Sequence, residues 1–111
     1  MKLFEEKCRP VEKGQSPIGP DEIRELSREV PQWTIGDTSM EREFKFKDFN
    51  QAMAFVNKVA EAASGEDHHP DILISYNKVK LILSTHRIGG LSRNDFIMAA
   101  KVDRITLPQP A

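Results

Sequence analysis

Two short segments whose large apolar residues recur at every second position constrain this fold most strongly. Residues 72–76 read I-L-I-S-Y, residues 79–83 read V-K-L-I-L, and Asn77 and Lys78 separate them. A period of two is typical of strands that bury one face, and a two-residue connection favours a β-hairpin. The pattern therefore predicts an antiparallel hairpin in this part of the chain.

A turn at Asn77 and Lys78 would also fix the register of this hairpin. On one face of the hairpin, this turn pairs Tyr76 with Val79, Ile74 with Leu81, and Ile72 with Leu83. The other face then carries Ser75, Lys80 and Ser84. A slip by one residue would mix the two sets, so the pattern itself supports this register. Extended past the strand ends, the same ladder brings His69 opposite His86.

The sequence that precedes this hairpin predicts an N-terminal arm, a helix and another hairpin. Residues 1–20 are rich in proline and glycine and show no period, so we expect an irregular N-terminal arm. Apolar residues at three- and four-residue spacing predict a helix over residues 21–30, which Pro31 ends. Residues 32–47 alternate on either side of a G-D-T-S turn and predict a hairpin.

A long helix between the two hairpins is the clearest single element. Asp48 can cap its first turn with Gln51 as the reciprocal partner, and Ser64 and Gly65 are expected to end it. Its apolar stripe consists of Phe49, Ala52, Met53, Val56, Val59, Ala60 and Ala63. Packing against a sheet explains this stripe without any functional role.

A last helix completes the predicted fold. It begins at Ser92, with Asp95 in a capping-box position, and is expected to stop at Pro108. The order helix-strand-strand-helix-strand-strand-helix predicts an α+β two-layer sandwich, with the helices on one face of a four-stranded antiparallel sheet. We expect this single domain to span residues 21–107, followed by a short tail over residues 108–111.

Composition and charge exclude several classes of function. The chain has 111 residues and a net charge of −1, with 16 basic and 17 acidic side chains and no basic stripe, so we expect no nucleic-acid partner. The apolar runs are too short to span a membrane. The N-terminal residues lack the apolar core of a signal peptide and Cys8 is the single cysteine. Both features predict a cytoplasmic protein.

Apolar surface that the predicted fold leaves uncovered indicates that the chain assembles with copies of itself. Leu73 and Ile82 would pair on the otherwise polar face of the sheet, and the first helix has a second apolar surface. Small domains commonly bury such surface between subunits, so we expect a homodimer or a homotetramer.

The three histidines of the chain are the candidate functional residues. His68 and His69 are adjacent in E-D-H-H-P-D, and the predicted ladder brings His86 to them. Pro70 favours an extended backbone in which neighbouring side chains point apart, so we do not expect a shared metal ion. Imidazoles beside carboxylates suit proton transfer. The residues alone leave a second interpretation open, in which H-H-P simply connects a helix to a strand.

Motifs in one order and spacing carry a family resemblance. The segment E-D-H-H-P-D-I-x-I-x-Y-N-K-V-x-L-x-L-S-T-H, followed by G-L-S-x-x-D, resembles the signature of pterin-4a-carbinolamine dehydratase, also called 4a-hydroxytetrahydrobiopterin dehydratase. The resemblance extends over about residues 21–105 and includes F-K-F-K-D-F-N before the long helix. It implies the same two-layer fold and a dimer or tetramer. It also implies dehydration of 4a-hydroxytetrahydropterin to quinonoid dihydropterin, without a metal or organic cofactor.

The resemblance also implies roles for individual residues. His68, His69 and His86 would be catalytic: His68 and His86 as acids toward the leaving 4a-hydroxyl, and His69 as the residue that orients the pterin or assists at N5. Asp95 would orient an imidazole. The residues expected to bind the substrate are Asp67, Pro70, Thr85, Arg87, Ile88 and Asp95.

One position departs from the family pattern. Four residues before His68 the family commonly has a glutamate, and this chain has Ser64. Glu61 or Glu66 would then have to supply the negative charge. The alternative is a pterin-binding or protein-binding module with weak or no dehydratase activity, linked either to molybdopterin metabolism or to a transcription factor, as in animal members of the family.

Overall fold

The computed structural model describes residues 2–106, so the predicted stop at Pro108 and the tail lie outside the described residues. Its elements are a first 3-10 turn (Leu3–Glu5), α1 (Pro20–Ser27), β1 (Thr34–Ile35), β2 (Met40–Lys45), α2 (Phe49–Glu66), β3 (Asp71–Ser75), β4 (Lys78–Leu83), a second 3-10 turn (His86–Ile88) and α3 (Arg93–Thr106). This order confirms the predicted succession of helices and strands. Among the described residues, no helix is long and apolar enough to cross a membrane.

The four strands form one antiparallel sheet in the order β1-β2-β4-β3, which confirms the α+β two-layer sandwich. Pairing of β2 with β4 joins the two hairpins, with Phe44 opposite Val79. Both side chains are buried against the helices, where the ring of Phe55 from α2 lies 4.7 Å from that of Phe44 and 5.0 Å from that of Phe46. Aromatic contacts of this kind strengthen the packing of a helix on a sheet.

The register of the β3–β4 hairpin differs from the prediction by two residues. Ser75 pairs with Lys78, so the connecting turn is Tyr76–Asn77, and Tyr76 takes a left-handed conformation with φ of 54°. The reason is a contact outside the hairpin. The Phe46 N–H donates to the Asn77 carbonyl (2.8 Å), and the Asn77 side-chain amide donates to the Phe46 carbonyl (2.9 Å). These bonds hold Asn77 within the turn.

A slip of two residues keeps the faces of the hairpin and changes the pairs. Val79, Leu81 and Leu83 remain on the buried face, as predicted. All the predicted pairs are wrong: Ile72 lies opposite Leu81 and Ile74 opposite Val79. On the other face, Leu73 lies opposite Lys80, and Ile82 lies opposite Asp71. His69 is likewise not opposite His86, because His86 begins the second 3-10 turn after β4 has ended.

Two helix ends also differ from the prediction. α1 ends at Ser27 rather than at residue 30, and hydrogen-bonded turns follow it. α2 continues through Ser64 and Gly65 and ends at Glu66, where Asp67 takes a left-handed conformation with φ of 52°. A glycine costs a helix only about 1 kcal/mol. Tertiary packing of α2 outweighs that cost.

The apolar stripe of α2 is only partly as predicted. Ala52, Val56, Val59 and Ala63 are buried, and so is Phe55, which the stripe omitted. Phe49 is 45% exposed and Ala60 is exposed. At the first turn, the Asp48 carboxylate accepts the Gln51 N–H at 2.9 Å, as predicted. The Gln51 side chain accepts from the Lys47 N–H instead of that of Asp48.

The arm is irregular but packs against the rest of the chain. Leu3 is fully buried, and the Lys101 ammonium of α3 donates to the Phe4 carbonyl at 2.9 Å. Further along, the Ile18 N–H donates to the Leu91 carbonyl at 3.0 Å. The arm is thus held at both ends, while the domain boundary at residue 20 stays a prediction.

Candidate active site

One cavity brings all three histidines together. Its volume is about 570 Å³. It is lined by residues 8–11 of the arm, 66–69 at the end of α2 and just beyond it, 84–87 after β4, and Asn94. We call it the histidine cavity. Pockets of this size hold small-molecule ligands in many proteins.

Chain turns at two element ends explain why the histidines converge. The left-handed conformation of Asp67 ends α2 and sends His68 and His69 back toward β3. After β4, the Thr85 N–H donates to the Gly90 carbonyl at 3.0 Å, which closes a loop around the second 3-10 turn that His86 begins. The convergence inferred from the hairpin is therefore present, although the register that predicted it is wrong.

Backbone conformation explains one glycine of this loop, and close packing explains the other. Gly89 has φ of 66°, a conformation that a residue with a side chain rarely adopts. A Cβ atom on Gly90 would lie 2.9 Å from the ring of Pro17. The arm thus packs directly on the loop that carries His86.

A buried carboxylate orients the first histidine. The Asp95 side chain is fully buried, and its Oδ1 lies 2.6 Å from Nε2 of His68, whose side chain is 12% exposed. An ionised carboxylate only accepts hydrogen bonds, so the network assigns the Nε2–H of His68 as the donor. Nδ1 is then the ring nitrogen of His68 that remains available to a ligand.

The other Asp95 oxygen binds groups from two further segments. Oδ2 accepts the Thr85 hydroxyl at 2.8 Å and the Ser92 N–H at 2.9 Å. Because Thr85 has donated its only hydroxyl proton, the Ser92 hydroxyl donates to Thr85 Oγ1 at 2.7 Å. The bond to the Ser92 N–H is one half of the predicted capping box at the start of α3.

The remaining two imidazoles are open to solvent. His69 and His86 are both exposed and line the histidine cavity. The cavity thus combines one imidazole held by a buried carboxylate with two freer ones. Such a set can deliver and accept protons at different points of one ligand. Within residues 2–106, no three His, Cys, Asp or Glu side chains are arranged to hold a metal ion.

Glu66 places a second carboxylate at the cavity. Its side chain is 8% exposed, and its carboxylate accepts the Cys8 N–H at 2.7 Å and lies 3.7 Å from the Lys101 ammonium. Burial raises the pKa of this carboxyl, but the hydrogen bond from Cys8 and the charges of Lys101 and Lys7 outweigh it. The pKa of Glu66 therefore lies below its ordinary value, and the group is charged at neutral pH.

The predicted substrate-binding residues divide into two groups. Asp67, Thr85 and Arg87 line the histidine cavity. Asp95 lies behind His68 and contacts it, whereas Pro70 and Ile88 do not line the cavity. Their assignment as binding residues stays a prediction.

The structure separates Glu66 from Glu61 and Ser64 by their position relative to the histidine cavity. Glu66 lines the histidine cavity, whereas Glu61 borders a separate pocket with Lys58 and Ile105. Ser64 is exposed on the last turn of α2 and does not line the cavity.

Sequence reasoning missed the wall that the arm supplies. Cys8, Arg9, Pro10 and Val11 line the cavity, as does Asn94 from the first turn of α3. No periodicity marks these arm residues, because they form neither helix nor strand. Charged residues in a proline-rich segment carry no signal of which cavity they border.

Fold and site together define a small two-layer α+β protein with a histidine cavity suited to proton transfer. The family model for pterin 4 alpha carbinolamine dehydratase matches residues 16–105. The chain belongs to the pterin-4a-carbinolamine dehydratase family, as its motifs predicted.

Individual relatives cover nearly the whole chain. A protein from Nitrosomonas eutropha is 45% identical over 106 residues, which are 95% of this chain and 94% of that protein. A protein from Alkaliphilus metalliredigens is 48% identical over 104 residues, which are 92% of this chain and 94% of that protein. Both are provisionally named pterin-4-alpha-carbinolamine dehydratase.

A solved structure is similar as well. It is the crystal structure of a transcriptional coactivator/pterin dehydratase from Brucella melitensis, which matches with a TM-score of 0.76 at 35% identity. The match covers 81% of this chain and 98% of the other.

The environment of Cys8 gives a prediction about its reactivity. Burial, and then the negative charge of Glu66, raise the pKa of the Cys8 thiol from 9.0 to about 12. The thiolate is the reactive form, so we expect alkylation by iodoacetamide at pH 8 to be at least about a hundredfold slower than in the urea-unfolded chain. Mass spectrometry of timed samples measures both rates. Equal rates in the folded and unfolded chains would contradict this account.

Proposed function

We propose that the protein dehydrates 4a-hydroxytetrahydropterin, the tetrahydrobiopterin form included, to quinonoid dihydropterin in the cytoplasm, by acid–base catalysis at the histidine cavity. The observation that carries the proposal is the pair of His68 and the buried Asp95, which leaves one imidazole nitrogen for a ligand beside two exposed imidazoles. Membership of the dehydratase family supplies the reaction class.

The reaction needs two proton movements and no change of oxidation state. The C4a–O bond breaks, and the hydroxyl group takes up a proton and leaves as water. N5 loses its proton, and the electrons of that N–H bond form the new double bond between N5 and C4a. The donor and the acceptor must lie at different points of the ring system, which suits imidazoles on separate segments of the chain.

His68 is the residue we assign as the principal acid. The carboxylate of Asp95 fixes its orientation and stabilises the imidazolium form, in the way that carboxylates orient histidines at other sites. His86 is the second acid toward the hydroxyl group, and His69 orients the pterin or assists at N5. Neither of these two has a buried carboxylate beside it among the described residues, so we expect them to matter less for proton delivery than His68 does.

Replacement of the pair tests the proposal directly. General acid–base catalysis typically contributes about 10²–10⁴-fold, so His68→Ala should lower the rate constant for dehydration by that order. Asp95→Asn should lower it by about 10–100-fold and change the pH dependence of the rate, because it keeps the shape and removes the charge that supports the imidazolium. Stopped-flow absorbance of a synthetic 4a-hydroxytetrahydropterin measures these rates.

Two controls accompany this experiment. Circular dichroism and light scattering must show that each variant keeps its fold and assembly. Full activity in His68→Ala, His69→Ala and His86→Ala would exclude histidine catalysis. A role as a pterin-binding or protein-binding module, for which the description of the Brucella protein as a coactivator is the specific observation, would survive His68→Ala unchanged.

Glu66 is the acid we propose in place of the family glutamate. If its charge supports an imidazolium, Glu66→Gln should make the acid form scarcer near pH 7 and move the optimum to lower pH. A charge that acts across an open cavity contributes about as much as an exposed ion pair, about 0.5–1 kcal/mol, so the expected loss is about two- to fivefold. Glu61→Gln is the matched control, because Glu61 borders a different pocket. Equal pH–rate profiles for the two variants would count against Glu66.

We also propose that the protein forms a homodimer or homotetramer through the β3 edge of the sheet. Leu73 is 51% exposed, Ile74 41% and Tyr76 67%, and the edge leaves backbone groups of β3 unpaired within the described chain. Exposed apolar side chains on an open strand edge suit pairing with a second copy about a twofold axis.

Light scattering tests this assembly. The wild-type protein should be a dimer or tetramer at micromolar concentration, and Leu73→Lys should shift it toward the monomer because a charge would be buried between subunits. Asp37→Lys, in the turn at the opposite edge of the sheet, is the matched control and should leave the assembly unchanged. A wild-type monomer would refute the proposal.

A further inference from the structure

Two arginines border the histidine cavity from different segments of the chain. Arg9 lies in the arm and Arg87 in the second 3-10 turn, and both are exposed. Within residues 2–106, neither guanidinium takes part in a hydrogen bond or an ion pair. By contrast, Arg42 is paired with Asp103, and Arg93 makes two bonds to the Glu6 carboxylate.

The acidic groups of the cavity do not cancel these two charges. Glu66 is already surrounded by the Cys8 amide and the ammonium groups of Lys101 and Lys7. Asp67 is the other carboxylate that lines the cavity. Asp95, buried behind His68, adds a third carboxylate. The four cations at or beside the cavity, Arg9, Arg87, Lys7 and Lys101, still outnumber these three acids. The cavity surroundings therefore carry a small positive excess before any imidazole is protonated.

The arm holds Arg9 in place at this mouth. The Asn94 side chain is buried and binds both backbone groups of Arg9: its Oδ1 accepts the Arg9 N–H at 3.0 Å, and its Nδ2 donates to the Arg9 carbonyl at 2.6 Å. One residue earlier, the Cys8 N–H is bound by Glu66 at 2.7 Å. The backbone at Arg9 is thus fixed on one wall, so that only the side chain has to be ordered when the guanidinium binds a ligand.

We propose that Arg9 and Arg87 bind an anionic group on the pterin's side chain, so that the substrate of this protein is a reduced pterin with an anionic substituent. The inference rests on the proposed function, because it takes the histidines to hold the ring system of the pterin. Guanidinium groups are suited to phosphate and carboxylate, to which they offer paired donors in a fixed geometry. The cavity has room for such a substituent beside the ring.

The expected preference is moderate because the site is open. An exposed ion pair contributes a few tenths to about 1 kcal/mol, which corresponds to about threefold in affinity for each arginine. Two such contacts predict a preference of about tenfold for the anionic ligand over a neutral one. The preference should shrink as salt is raised, since screening weakens exposed charges first.

Equilibrium binding tests this without relying on turnover. The probes are a stable dihydropterin with a neutral trihydroxypropyl side chain, the phosphate monoester of the same compound, and a pterin 6-carboxylate. Quenching of pterin fluorescence gives a dissociation constant for each. We expect the phosphate ester to bind about tenfold more tightly than the neutral compound, with a loss of about threefold in each of Arg9→Ala and Arg87→Ala and no preference left in the double variant. A preference for the carboxylate instead would identify the anionic group as a carboxylate.

The matched control is Arg28→Ala, which removes an exposed arginine at a different cavity and should keep the full preference. Equal binding of neutral and anionic probes by the wild-type protein would overturn the inference and leave the dehydratase proposal standing. A preference that survives the double variant would overturn it too. Failure to bind any of the three pterins would reject the proposed function itself, and the inference with it.

Discussion

The buried carboxylate of Asp95 is the interaction on which the site depends. Its two oxygens accept hydrogen bonds from His68 after α2, from Thr85 after β4, and from the Ser92 N–H at the start of α3. A fully buried charge is costly unless donors surround it, so the three segments must lie close together for the chain to fold. The geometry that orients the His68 imidazole is therefore also the geometry that joins three elements.

The first turn of α3 divides two tasks between neighbouring residues. Asp95 points to the histidine side, while Asn94 binds both backbone groups of Arg9 and fixes the arm. Adjacent positions on a helix are separated by about 100°, so one turn can contact two different segments. As a result, the arm and His68 are both bound to the first turn of α3. The wall that the arm supplies cannot shift without disturbing the start of this helix.

The sequence predicted the elements and the convergence of the histidines, because alternation and helical spacing are local properties. It did not predict the register of the β3–β4 hairpin, since the turn is set by bonds between Asn77 and Phe46, a residue that lies 31 positions earlier. The end of α2 was missed for a similar reason: packing along the helix outweighed the weak helix-breaking tendency of Gly65. The arm's contribution to the cavity had no local signal at all. Contacts between distant segments decided each of these points.

The extension of α2 bears on the glutamate that the family resemblance led us to expect at position 64. Because the helix continues to Glu66, that residue lies about 200° around the helix axis from Ser64. Ser64 therefore points to solvent, and Glu66 reaches the histidine cavity and the arm at once. Had the helix ended at residue 63, neither position would be fixed relative to the cavity. If the reaction requires a carboxylate here, the residue that meets the requirement is set by where the helix stops, and its charge is held there by the Cys8 amide and Lys101.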